Sequence, residues 1–197
     1  MRIVLTGGAG YIGLHTLVKV LAEGHEALVI DNFANSVPEA LDRARSLSNR
    51  DFPVFRADIR DRSALDAAFA DFQPEAVIHF AGLKSVGEGE THPLSYYDIN
   101  VSGTVTLLDS MNAAGCRTII FSSSAAVYGQ PDYLPVDENH PCRPASVYGR
   151  TKLMAEQILT DWCKANPGSS NVMLRYFNPV GAHESGLIGE DPLGVPA

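Results

Sequence analysis

Thr6-Gly7-Gly8-Ala9-Gly10-Tyr11-Ile12-Gly13 lies between the apolar run Arg2-Ile3-Val4-Leu5-Thr6 and an amphipathic stretch over 11–23. Its reading decides the fold. A strand that turns on glycines straight into a helix forms the first unit of a parallel sheet. Gly7, Gly10 and Gly13 permit the tight turn and let backbone N–H groups approach an anion such as a pyrophosphate at the positive end of the helix. The spacing is G-x-x-G-x-x-G rather than G-x-G-x-x-G, so the rest of the chain has to support the reading.

Outward from this turn, strand-like runs recur at Ala27 to Asp31, Pro53 to Ala57, Ala76 to Ala81, Thr118 to Ser122 and Asn171 to Tyr176. They are rich in Val, Ile and Phe and do not alternate, as expected of strands covered on both faces. Helical patterns fall between them near 11–23, 38–47, 62–72, 94–114 and 145–165. Asp61 or Ser63 is placed to cap the third helix, and Asn166-Pro167-Gly168 to stop the last. This alternation predicts an α/β fold, a doubly wound parallel sheet of Rossmann-like type with right-handed crossovers. A ligand then belongs at the carboxyl ends of the strands, beside the switch point.

The chain has 197 residues, 45% of them hydrophobic, which suits one domain with a sizeable core. A net charge of −8 leaves no basic stripe for nucleic acid or an acidic membrane. No apolar run is long enough to span a bilayer, and Met1-Arg2 leads directly into a strand, so neither a membrane span nor a signal peptide is expected. Cys116, Cys142 and Cys163, odd in number and widely spaced, read as reduced thiols of a cytoplasmic protein. The histidines and cysteines do not cluster, so no metal site is expected. His79, inside an apolar run, reads as a packed core histidine. Glu88, Glu90, Glu190 and Asp191 show no convergent pairing and read as surface.

Two further groupings carry chemistry. Asp31 ends the second strand 18 residues after Gly13, where an acid accepts hydrogen bonds from ribose hydroxyls. It also repels a 2′-phosphate, and no Arg follows it closely, which favours NAD over NADP. Asp58, closing the third strand, either reaches the adenine or caps a helix. Tyr148-Gly149-Arg150-Thr151-Lys152 puts Tyr148 and Lys152 one turn apart on a helix, and Ser124 follows a hydrophobic strand upstream. A free tyrosine, with a pKa of about 10, is a poor base. Bringing it to about 7 takes roughly 4 kcal/mol, which a neighbouring ammonium and a cationic nicotinamide ring can supply.

With these residues in view, the chain resembles the extended short-chain dehydrogenase/reductase family, and within it the members that epimerise a UDP-hexose at C4. The similarity runs through TGGAGYIG at the start, DN at 31–32, DI at 58–59, HFAGLKSVGE at 79–88 and NVSGT at 100–104. It continues through FSSSAAVYG at 121–129, YGRTK at 148–152 and RYFNPVGAH at 175–183. The resemblance implies an NAD site lined by Tyr11, Ile12, Asp31, Asn32, Asn35, Ser36, Asp58, Ile59, Phe80, Ala81, Gly82 and Lys84. Asn100, Ser122, Tyr176 and Phe177 are expected to add to it. Ile99 stands where some members carry an Asn that reaches the cofactor.

The resemblance further implies that Tyr148 is the base, that Ser124 bonds the sugar hydroxyl, and that Lys152 bridges the nicotinamide ribose and the phenolate. Lys84 and Asn178 are expected to contact the sugar nucleotide. The C4 alcohol is oxidised to a 4-ketose and reduced again from its other face, so NAD is regenerated. Related dehydratases carry an acidic pair just after the residue matching Ser124. Here Ala125 and Ala126 stand there, which disfavours elimination.

Residues 1–180 are therefore expected to form the NAD-binding domain with Ser124, Tyr148 and Lys152. The stretch from Asn178 to Ala197, rich in Gly and Pro, reads as the start of a connection to a substrate domain, or else as a frayed tail. Two other functions stay open: an NAD-binding module without turnover, and a nucleotide-sugar reductase. A homodimer through the helices near 94–114 and 145–165 is expected by analogy.

Overall fold

The computed structural model describes residues 1–190, so Asp191 and residues 192–197 of the expected connection lie outside the described residues. The elements follow as β1 (Arg2–Thr6), α1 (Tyr11–Ala22), β2 (Glu26–Asp31), α2 (Pro38–Ser48), β3 (Val54–Arg56), α3 (Arg62–Phe72) and β4 (Ala76–His79). Next come α4 (Val86–Thr91), α5 (Pro93–Tyr96), a π-helical turn (Tyr97–Ser102) and α6 (Gly103–Ala114). The chain continues through β5 (Thr118–Ser124), a 3₁₀ turn (Ala125–Val127), α7 (Val147–Ala165) and β6 (Ser170–Tyr176). All six strands are parallel, in the order β3-β2-β1-β4-β5-β6. The order reverses between β1 and β4, which opens the ligand crevice of a doubly wound sheet at their carboxyl ends.

The unbroken apolar runs have a direct cause. Successive strand residues point to opposite faces, and both faces are covered. Ile3 and Leu5 of β1 join Leu14, Leu17 and Leu21 of α1 and Leu41 of α2 on one side. Val4 joins Leu65 and Phe69 of α3, Leu107 and Met111 of α6 and Leu159 of α7 on the other. Among the described residues β6 has β5 as its one neighbour, and Val172 and Leu174 on it are exposed.

Local chemistry sets the ends of the helices. Asp61 caps α3, its carboxylate accepting from Ala64 N at 3.0 Å. Asn166 closes α7, as expected. The single helix expected over 94–114 is instead divided: Pro93 starts α5, and an extra residue per turn over 97–102 re-aims the chain before α6. α4 had no counterpart in the sequence reading.

Candidate active site

β1 delivers the glycine turn. Gly7 takes φ +68°, and a Cβ there would lie 2.6 Å from Ala81 N, so the turns after β1 and β4 touch. A Cβ at Gly13 would run into Gly7 O, which is why the first turn of α1 can fold back so closely on β1. Gly10 caps α1 without a side chain, and the first helical bond runs from Leu14 N to Gly10 O at 2.8 Å. The amides of Tyr11, Ile12 and Gly13 therefore have no intrahelical acceptor. This is a helix N-terminus with backbone donors at the mouth of the crevice.

Asp31, at the end of β2, is buried and ties this turn down. It accepts from Ala9 N at 3.0 Å, Phe33 N at 2.9 Å and Ser36 Oγ at 3.0 Å. Asn32 donates to Asp58 at 3.1 Å. Arg60 forks onto Asp58, and this pairing pulls the Asp58 carboxyl down to about 2. Asn35 is exposed, and Ile59 is buried against Gly103.

The far wall is built by β4, β5 and α7. Phe80 and Ala81 are half-buried, and both of their N–H groups donate to Thr6 O. Asn100, buried in the π-helical turn, uses its whole amide inside the protein. It accepts from Leu83 N at 2.8 Å and donates to Leu83 O and Thr151 Oγ1, each at 3.0 Å. Asn100 thus fixes the loop that carries Gly82 and Lys84. The Lys84 ammonium pairs with Glu190 at 3.2 Å.

Tyr148 and Lys152 occupy one face of α7, whose N-terminus is anchored twice. Ser146 Oγ accepts from Gly149 N at 3.0 Å, and Glu90 accepts from Val147 N at 2.8 Å. A Cβ at Gly149 would sit 2.5 Å from Ala126 O, so α7 packs on the 3₁₀ turn at backbone contact. That contact brings Tyr148 to Ser124. Lys152 is buried and donates to Ser122 O at 2.8 Å, with its nitrogen 4.8 Å from the Phe121 ring centre and 5.9 Å from that of Tyr148. Burial brings its pKa down to about 8, against the opposing pull of Glu156. A Cβ at Gly82 would lie 3.9 Å from Lys152 Nζ, which links this wall to the β4 loop.

The expectation for Tyr148 counts on an ammonium and a nicotinamide ring together, of which the protein supplies the first. Burial holds the Tyr148 phenol above its ordinary value, and the Ser124 hydroxyl opposes this only in part. The protein's own groups do not bring the phenol towards neutrality, because the Lys152 nitrogen lies near the ring and is not hydrogen-bonded to the hydroxyl. Tyr176 is likewise raised by burial. Phe177 is 64% exposed, and Asn178 is exposed beside it.

Glu88 and Glu90 are exposed, as expected, but several residues have partners that the sequence does not show. Glu90 and Glu190 have partners, as above, and Glu88 accepts from Tyr96 Oη at 3.3 Å. Ser123, expected to be a plain strand-end residue, donates to buried Glu156, which Arg175 grips through two bonds at 3.0 and 2.7 Å. His79 is a buried core histidine, as expected.

Residues 3–190, which contain this glycine turn, Asp31 and the Ser124–Tyr148–Lys152 wall, match the NAD dependent epimerase/dehydratase family. The chain belongs to this family. Among curated members it is similar to the UDP-glucose 4-epimerases of Bacillus subtilis, 52% identical over 196 residues, and of Mus musculus, 48% identical over 202 residues. The alignment covers 100% and 99% of this chain but 58% of each of those proteins. The chain thus spans somewhat more than half the length of the curated relatives it matches. The UDP-glucose 4-epimerase of Bifidobacterium longum, solved in complex with NAD+ and UDP, superposes with a TM-score of 0.97 at 46% identity. It is covered over 59% of its length, and all of this chain is used. The Stenotrophomonas maltophila enzyme, with bound NAD and formylated UDP-arabinopyranose, gives 0.97 at 44% identity. Among the described residues no helix is long and apolar enough to cross a membrane, and no group of His, Cys, Asp or Glu is placed to hold a metal.

Proposed function

We propose that the chain is the cofactor-binding and catalytic part of an NAD-dependent epimerase that interconverts UDP-galactose and UDP-glucose at C4 through a 4-keto sugar. One observation carries this reading: Lys152 is buried with its ammonium on Ser122 O and close to Gly82, in the loop after β4 whose start touches the glycine turn, and Tyr148 and Ser124 lie beside it. An ammonium has three donors. Ser122 O is its one hydrogen-bond acceptor among the described residues, so the geometry suits a ribose diol as the further acceptor.

The residues present fit a dinucleotide. Side chains at Gly7 and Gly13 would fill the space where the turn closes, and the free first-turn amides of α1 suit a pyrophosphate. Asp31 suits the adenosine ribose, with Ser36 and Phe33 N giving up part of its carboxylate. Asn32, Asn35, Asp58 and Ile59 are assigned to the adenine end, and Phe80, Ala81, Gly82, Lys84, Asn100, Tyr176 and Phe177 to the nicotinamide end. Bound NAD supplies the reversible two-electron acceptor that converts the C4 alcohol to a ketone and back.

Tyr148 takes the C4 hydroxyl proton and returns it after the sugar has presented its other face, with Ser124 holding that hydroxyl. Lys152 contributes the protein's share of positive charge beside the phenol, and the burial that raises Tyr148 also makes that charge act strongly. Ala125 and Ala126, on the turn against α7, offer no proton donor for elimination. Asn178 and Lys84 are assigned to the sugar nucleotide. We place turnover in a protein of the relatives' full length, with residues 1–180 as the NAD domain and 181–197 as the start of the connection to the substrate domain. Free Cys116, Cys142 and Cys163 fit a cytoplasmic enzyme, and exposed Leu94, Val105 and Met154 suit a homodimer through α5, α6 and α7.

Calorimetry with NAD+ and a coupled UDP-galactose assay test the two halves. The 197-residue chain is expected to bind NAD+ and to epimerise very poorly. In a full-length protein Tyr148→Phe is expected to lower turnover by roughly 10²–10⁴-fold with NAD+ still bound. Near-normal turnover in that variant removes Tyr148 from the role, and NADH accumulating over many turnovers selects a reductase instead.

A further inference from the structure

We propose that Glu156 is a positioning residue for Lys152: its carboxylate, pinned by Ser123 and Arg175, is the buried counter-charge that holds the ammonium charged against the end of β5. Three consecutive strand residues meet three α7 residues one turn apart. Ser124 serves Tyr148, Ser122 O takes the Lys152 ammonium at 2.8 Å, and Ser123 Oγ bonds Glu156 Oε1 at 2.5 Å. Glu156 and Lys152 are 4% and 5% exposed, so solvent screens neither. The inference relies on the reading above only in taking Lys152 as the group that faces the cofactor.

Glu156 gripped by Arg175 could be read as a purely structural pair. What separates the two readings is the set of charges around Lys152. On its own helix these are Tyr148 and Glu156. β4 presents His79, which burial and the Lys152 charge keep neutral. β5 presents the Phe121 ring and a carbonyl. β6 presents Arg175, which is bound to the Glu156 carboxylate. The π-helical turn presents Asn100, and α7 adds Thr151, both uncharged. Among the described residues Glu156 is therefore the acid that acts on Lys152, and it opposes the burial that favours the neutral amine.

The test reads Lys152 directly. In lysine-labelled protein its Cε resonance is assigned by its loss in Lys152→Met and titrated without NAD. At an effective dielectric near 20, a unit charge within about 10 Å is worth about one pH unit or more. Glu156→Gln is expected to lower the midpoint from about 8 by at least that much, Arg175→Met to raise it, and Glu156→Asp to leave it nearly in place. Where a single variant fails to fold, Glu156→Gln/Arg175→Met, which orphans no charge, is expected below wild type.

NAD+ affinity in Glu156→Gln should then fall as pH rises through the lowered midpoint and recover below it. Structural loosening would weaken binding at every pH. An unchanged midpoint in Glu156→Gln or in the double variant, or shifts of the same sign in Glu156→Gln and Arg175→Met, overturns the proposal. The titration needs neither bound NAD nor turnover, so failure of the cofactor reading shows separately, in calorimetry on the wild type.

Discussion

His79 makes folding stability depend on pH in a window that no other strongly shifted group shares. Its ring lies between Thr6 Oγ1, 2.6 Å from Nδ1, and Thr104 Oγ1, 3.2 Å from Nε2. Thr104 gives its one hydroxyl proton to Asn100 O at 2.7 Å, so it can only accept from His79. The proton therefore sits on Nε2, and Nδ1 accepts from Thr6. Burial first, and the Lys152 charge second, take the imidazole from an ordinary 6.5 down to about 3. The folded pKa lies below the unfolded one, so the unfolded chain binds the extra proton. Stability is complete above about 6.5 and is lost as pH falls from there towards 3.

At about pH 5 the loss attributable to His79 is about 2 kcal/mol, a large part of a typical 5–15 kcal/mol. Asp58, held at about 2, contributes only below its ordinary carboxylate range and leaves this window clear. His15, also lowered by burial, acts in the same direction, so a variant is needed to isolate His79. Urea unfolding followed by the fluorescence of Trp162 at about pH 7, 6 and 5 measures the slope. His79→Gln should flatten it, and the His79 ring resonances should stay at their neutral positions from about pH 7 to 5. An equal slope in the variant, or a ring that titrates in the folded protein, refutes the argument.

Two further substitutions test how the site is held. Gly149→Ala puts a methyl group 2.5 Å from Ala126 O, a backbone atom that cannot rotate away. Denaturant unfolding should show a loss of about 1–3 kcal/mol, and wild-type stability would mean that the α7 contact opens freely. Gly13→Ala sets a Cβ against Gly7 O and should weaken NAD+ binding at least tenfold by calorimetry. Gly87→Ala in α4, where a Cβ meets nothing within 4 Å, should leave binding unchanged and stabilise by about 0.5–1 kcal/mol. Equal effects on binding at the two positions would sink the cradle reading.

What could be read from the sequence follows the range of each signal. β1 and α3 match their expected limits because an apolar run between turn residues, and an Asp cap, are local signals. The region from 86 to 102 was legible only in part: helix was expected from 94 on, but neither α4 nor the break between α5 and α6. No element was expected over 86–91, yet α4 forms there, and a Cβ at Gly89 would meet the Tyr96 ring at 3.3 Å, a tight contact. A π-helical turn adds a residue that periodicity cannot register, and it is this turn that aims Asn100 at Leu83. The Tyr148–Lys152 pair was legible as residues one turn apart. The same rule extended once more reaches Glu156, whose partner Arg175 lies on a strand that no local pattern connects to it.

A sheet covered on both faces leaves little water for ionised groups, so every buried polar residue near the crevice must find its partner in the protein. His79 does so by staying neutral between two threonines, and Glu156 by sharing its charge with Arg175. Lys152 differs. One carbonyl is its hydrogen-bond partner among the described residues, and burial already draws it down to about 8. A purely structural lysine in such a place would gain by giving up its charge or by pairing directly with a carboxylate. Holding it charged through an acid one turn away, with donors to spare, costs stability and makes sense where a ligand supplies the remaining acceptors. Lys152→Met should accordingly remove the rise in stability expected between about pH 8 and 10.5, where the folded chain binds fewer protons than the unfolded one. If the variant kept that rise, the ammonium would not be a buried charge, and the case for a cofactor beside it would lose its physical basis.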